Sequence, residues 1–272
     1  DLFIVHADGD LWLHPGILAG SGMPPLRLAD LGDPRVPVTE GPGPNTVEKV
    51  AGVVNGVVFY GDCCEPIAGN ILGATGEDSG GILVAYGYSP VLSPTADRLA
   101  SANGFGLTVI ELSTGALTGR DINSGSSHIN AWDLMWSADG RSLVMLYFDD
   151  LGFALMPYSA ETPFVSGKPV TLDVGFNASV EQDVRFAGRG PNGEIAVSIG
   201  DDQATVIRYF DGSTLTEIPD MQRSLPPGVH SVRLATDGDG LIWVDKDQLW
   251  YVPAGGDVRN LGAEYAAAWF AQ

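Results

Sequence analysis

The sequence is poor in cysteine, histidine and positive charge: 2 Cys, 4 His and 14 Lys plus Arg stand against 34 Asp plus Glu in 272 residues. A formal charge of −20 repels polyanions, which excludes nucleic acid and anionic lipid surfaces as partners. No apolar run approaches the roughly 20 residues of a membrane helix, and no basic start leads into an apolar stretch as in a secretory signal. A soluble, already trimmed domain without membrane insertion is the expectation. Catalytic spacings are missing too. His6, His14, His128 and His230 show no zinc-hydrolase spacing, no Gly-x-Ser-x-Gly elbow occurs, and no glycine run forms a phosphate loop. No catalytic residue is therefore assigned.

What the sequence does have is punctuation. The 36 Gly and 18 Pro separate short β-branched or aromatic segments, such as VVFY at 57–60 and LVMLY at 143–147, without helical periodicity. An all-β fold follows. Self-similarity appears at a period of roughly 45 residues: the segments opening at Leu92, Trp136, Phe186 and Leu234 each read strand, turn, strand, polar loop, strand. The third strand repeats on its own as LWLHP at 11–15, FALMP at 153–157 and LWYVP at 249–253. Pro in that place closes a strand without stranding a donor. Aligned on Ser93, Ser137, Ala187 and Ala235, the units stand 44, 50 and 48 residues apart, which predicts six in the whole chain. The first unit lacks its opening strand. The C-terminal run from Glu264 to Ala271, although its alanines tolerate helix, is expected to supply that strand and close the ring, with Phe3 matching Leu241 and Ala271 matching Ala235.

These segments resemble the TolB-like six-bladed β-propellers, whose repeat carries a Ser-Pro-Asp-Gly turn. Here it reads SPTAD at 93–97, SADG at 137–140 and ATDG at 235–238. The resemblance implies one propeller domain over 1–272 with four-stranded antiparallel blades, at 1–31 plus 263–272, 45–86, 87–123, 128–174, 179–219 and 228–262. A secreted, periplasmic or cell-envelope location is implied by the same resemblance. Propellers host binding modules and several enzyme classes alike, so function is argued from sites.

In a propeller the loops between second and third strands open on the face that usually carries function. They hold Asp8 and Asp10, Glu65, Asp149 and Asp150, Asp201 and Asp202, and Asp245 and Asp247. Such a ring of carboxylates suits calcium, the one ion the sequence suggests, although Asp is also a common solvated turn residue. No cofactor is required by anything in the sequence. Cys63 and Cys64 are adjacent, so an intramolecular disulfide would be vicinal, and consecutive Cα atoms about 3.8 Å apart demand a distorted backbone for it. Two free thiols are the alternative; the resemblance to secreted proteins favours the oxidised form. Around the channel mouth, the blade starts bring Glu48, Tyr88, His128, Asn130, Trp132, Glu181, Asp183, His230 and Tyr265, a mixed aromatic and polar set typical of small-ligand pockets. Trp136 and Trp269 are expected in the core.

The expected function is an extracytoplasmic, non-enzymatic binding module, monomeric, engaging a protein or small molecule through the acidic loop face or central channel. The competing class is a metal-dependent hydrolase or lactonase, its divalent ion held by some of Glu48, Asn130, Glu181 and Asp183. A purely structural domain of a larger envelope protein is the third.

Overall fold

The computed structural model describes residues 1–6, 10–29, 47–54, 57–62, 70–73, 88–102, 106–121, 130–150, 152–161, 167–174, 183–200, 204–235 and 240–270. They form 23 strands. In chain order the strands are β1 (Leu2–His6), β2 (Leu11–His14), β3 (Leu26–Ala29), β4 (Val47–Val54), β5 (Val57–Asp62) and β6 (Asn70–Gly73). Then follow β7 (Tyr88–Leu92), β8 (Arg98–Ala102), β9 (Gly106–Glu111), β10 (Leu117–Asp121), β11 (Asn130–Trp136), β12 (Ser142–Asp149), β13 (Gly152–Ser159) and β14 (Val170–Thr171). The remainder are β15 (Asp183–Arg189), β16 (Ile195–Gly200), β17 (Thr205–Phe210), β18 (Glu217–Leu225), β19 (Val229–Leu234), β20 (Leu241–Asp245), β21 (Gln248–Val252), β22 (Arg259–Gly262) and β23 (Tyr265–Phe270).

The fold is an all-β propeller of four-stranded antiparallel blades. Among the described residues five such blades are present, and the expectation of six is corrected: the segment at 45–86 gives a three-stranded sheet there, β4-β5-β6. That segment is also the most degenerate repeat, with no Ser-Pro-Asp-Gly turn to pin its first hairpin. Two compact units divide the chain. One, made of 1–47, 72–80 and 179–272, holds the blades β23-β1-β2-β3, β15 to β18 and β19 to β22. The other, made of 48–71 and 81–178, holds the blades β7 to β10 and β11 to β14.

Middle strands explain why the sequence reads as short apolar runs. Leu2 to Val5 and Leu241 to Val244 are buried on both faces of their sheets, so alternation gives way to a continuous hydrophobic stretch. The repeated turn between first and second strands is built by its own side chains. Ser93 N–H donates to the Arg98 carbonyl, and the Ser93 hydroxyl donates to Asp97 Oδ1 at 2.7 Å while accepting from the Asp97 and Arg98 N–H groups. Ser137 and Asp139 repeat the arrangement at 2.6 Å, with Gly140 at φ 68°. The Ser93 hydroxyl holds the Asp97 carboxyl below its ordinary range, as Ser137 does for Asp139.

The C-terminal run is strand, not helix. β23 pairs with β1, Leu2 facing Phe270 and Phe3 facing Trp269, and so completes the N-terminal blade. Because Leu241 faces Leu234 in its own blade, Leu2 rather than Phe3 is the counterpart of Leu241, one residue off the expected match. Leu2 and Ile4 then pack with Ile242, Val244 and Leu249 in one buried cluster. The blade expected to end at 219 runs to Leu225. Pro219 falls in the irregular part of the β17–β18 ladder, between the Arg208–Gln222 and Phe210–Glu217 pairs, where an edge strand does not need the missing donor.

Candidate ligand-binding groove

The blade-start residues take equivalent places in their own sheets. Tyr88, Asn130, Asp183 and Tyr265 each open a first strand, facing Ala102, Phe148, Gly200 and His6 respectively, and His230 faces Val244. Glu48 is the second residue of β4. Trp132 packs edge-on against Phe153, with ring centroids 6.0 Å apart, and its carbonyl accepts the Ser89 hydroxyl at 3.1 Å. Trp136 and Trp269 are buried; the Trp136 indole N–H donates to the Val91 carbonyl at 3.0 Å, and the Arg98 guanidinium lies over its ring. His128, Glu181, Asp8, Glu65, Asp201, Asp202, Cys63 and Cys64 lie outside the described residues, so the vicinal disulfide and much of the carboxylate ring do too. Among the described residues no three His, Cys, Asp or Glu side chains converge as ion ligands.

The described loop acids have separate fates. Asp10 is engaged with Arg27, at 2.6 Å to Nε and 2.8 Å to Nη2. Asp149 closes β12 opposite Gly152, and it adds to the upward push that burial gives the Tyr147 phenol. Asp150 is exposed in the following turn. Asp247 offers its carbonyl to the Tyr265 N–H at 3.0 Å. Asp245 ends β20 and lines a groove.

That groove has a cavity volume of about 660 Å³, inside the roughly 300–1,000 Å³ span of small-ligand sites. Its floor is one face of the β20–β21 hairpin, set by strand alternation. Leu241 faces Val252, Trp243 faces Trp250, and Asp245 faces Gln248, so three successive rungs run from apolar to polar. The two indoles lie nearly parallel, 11° apart with centroids at 6.4 Å, and Trp243 is the buried member of the pair. Lys246 at φ 60° makes the tight reversal between the strands. At the apolar end the chain turns on Pro253, whose carbonyl accepts from Gly256, with Gly255 at φ 59°. A Cβ at Gly256 would meet Pro253 at 2.5 Å, so glycine keeps this lip open.

The wall is the end of β18. Met221 and Leu225 pack against the buried cluster of Ile207, Tyr209, Leu241 and Trp243, and Arg223 stands between them on the same face, opposite buried Ile207. Leu225 pairs with Thr205, whose hydroxyl donates to the Val229 carbonyl at 3.3 Å, and Val229 pairs with Asp245. These links place Leu225 and Asp245 at the same end of adjacent blades, the end that carries the second-to-third-strand loops. Arg27, Arg98 and Arg208 have acid partners in Asp10, Asp97 with Glu111, and Glu217. No acid lies within ion-pair reach of Arg223 among the described residues.

A second aromatic cluster lies in the N-terminal blade. His6 and His14 meet Nε2 to Nε2 at 3.0 Å, and the 5.2 Å between ring centroids shows them end to end. Tyr265 packs edge-on against both, 5.1 and 6.0 Å away, and Trp12 lies 5.5 Å from His6. Burial, then the neighbouring His6, holds His14 below its ordinary 6.5. Burial, then Glu264, raises the Tyr265 phenol. Of the named candidates, Tyr265 falls in this cluster and Asp245 on the groove; their other members were not singled out, although Trp12 and Trp250 occupy the same place in the LWLHP and LWYVP repeats.

No protein-family model and no curated protein matches the chain. Solved structures align with the chain at low identity. A Bacteroides uniformis protein provisionally assigned as a 6-phosphogluconolactonase aligns with a TM-score of 0.52 at 10% identity, covering 91% of this chain and 76% of its own. A Lactobacillus plantarum protein gives a TM-score of 0.49 at 14% identity over 97% and 81%. An Agrobacterium tumefaciens protein provisionally assigned as TolB gives 0.43 at 18% identity over 63% and 60%.

Proposed function

We propose that the chain is a non-enzymatic binding module that takes a small ligand in the groove between β18 and the β20–β21 face. The carrying observation is the combination found there: a partly buried Trp250 beside buried Trp243, flanked by the Arg223 and Asp245 side chains. Indole faces supply apolar contact area at little entropy cost, and a few charged groups then fix orientation. An extracytoplasmic location belongs to the same proposal, on the strength of the TolB-like turn repeats and the adjacent cysteines.

The test is ligand-observed NMR of a fragment set against the wild type and Trp250→Ala, with circular dichroism as the folding control. Fragments that bind the wild type and are lost in a folded Trp250→Ala support the reading. Hits indifferent to that substitution, or no hits, overturn it. Calcium-dependent hydrolysis of a lactone, abolished by Asp183→Asn, would replace it with the hydrolase reading.

A further inference from the structure

Resting on the binding reading above, the groove's charges narrow its ligand. We infer that it takes a zwitterion with an apolar body, of the class of a short peptide with aromatic or branched side chains and both termini free.

Three observations converge. The floor offers apolar surface from Leu241, Val252 and the two indoles, continued by Leu225 on the wall. One cation and one anion, Arg223 and Asp245, lie on its lining, and neither has an ion-pair partner among the described residues. The chain as a whole carries −20. A free carboxylate suits the planar fork of a guanidinium, but a purely anionic ligand approaches against the protein's own field. A purely cationic ligand satisfies Asp245 and leaves Arg223 without a counter-charge. A zwitterion meets both side chains and is net neutral, so the long-range field does not oppose it. The apolar body between its charges then covers Trp250.

Calorimetric titration with phenylalanyl-leucine, its N-acetyl form, its C-terminal amide and the doubly capped peptide tests this. The zwitterion is expected to bind about tenfold more tightly than either singly capped form. Arg223→Gln should erase the preference for the free carboxylate and keep that for the free ammonium; Asp245→Asn should do the reverse. Equal binding of the doubly capped peptide, or discrimination unchanged by both substitutions, overturns the zwitterion while leaving the groove as a binding site. Failure of all four peptides at millimolar concentration also overturns it, and the fragment experiment separately decides whether the groove binds anything.

Discussion

The N-terminal blade and the β19–β22 blade put the same framework to different uses. By ladder position Leu2, Ile4 and His6 correspond to Leu241, Trp243 and Asp245, and Leu11, Trp12 and His14 to Leu249, Trp250 and Val252. In the first, His6 and His14 reach along the sheet to each other, and Tyr265 caps them. In the second, an acid and a valine hold the two histidine places, and the face stays open as a groove. The lesson is that a repeat fixes where a tryptophan lies, while two neighbouring positions decide whether histidines pack over that face or a groove stays open beside it.

The comparison breaks most visibly at the tryptophans. Trp250→Ala is expected to weaken phenylalanyl-leucine binding by about a hundredfold, in line with the 2 kcal/mol or more of an interface hot spot. It should also cost roughly 2 kcal/mol of stability, below the 3–5 of a fully buried aromatic. Trp12→Ala should cost comparable stability and leave the affinity unchanged. Calorimetry and denaturant melts of both variants check this; equal loss of binding in the two would erase the distinction between covered and open blades.

A smaller effect separates the blades by pH. In the folded state His14 is held below 6.5 by burial and by His6, so it resists protonation there and accepts it when unfolded. A group depressed in this way favours the folded state above its unfolded value. Stability should therefore begin to fall as the pH drops below about 6.5 and continue falling to the lower folded value, an effect kept small by the side chain's solvent exposure. His14→Val, which gives the blade the residue of its open counterpart, should flatten Tm between pH 7.5 and 5. A melt series that falls equally in wild type and variant contradicts this.

The smallest effect belongs to the hairpin that carries the groove wall. Asp211 accepts from the hydroxyls and N–H groups of Ser213 and Thr214, which depress its carboxyl far below 3.8. Its support of the β17–β18 turn is present above the ordinary carboxyl range and lost as the pH falls toward the folded value. Asp211→Asn should lower the melting temperature slightly at pH 7.5, within the small range of most surface substitutions, and the difference from wild type should shrink as the pH falls below the ordinary carboxyl range; a difference that grows in acid contradicts this.

Much of this fold was legible because several blades state their own turn, a serine or alanine start with an acid at 93–97, 137–140 and 235–238, and three third strands close on a proline, at Pro15, Pro157 and Pro253. The C-terminal strand was legible for the same reason, since an orphan second strand at Leu2 needs a partner. The blade count was not, because the segment from Asn45 lacks the turn. The groove was half visible: the LWYVP repeat displayed Trp250, but side-chain coverage is a property of neighbours, not of the repeat. Arg223 was hidden because the blade was expected to end at 219, whereas an edge strand continues past Pro219 through an irregular ladder. The acids of the loop face looked alike in sequence, yet Asp10 is neutralised by Arg27 and Asp245 lines the groove, a difference that depends on which strand lies alongside.

The central claim is that the open blade recognises ligand and the closed one does not. Titration of phenylalanyl-leucine into nitrogen-labelled protein, followed through the indole N–H resonances of its 6 tryptophans, addresses it most directly. Saturable shifts are expected at Trp243 and Trp250, with Trp12 unmoved. Shifts at Trp12, or none at Trp250, would contradict it.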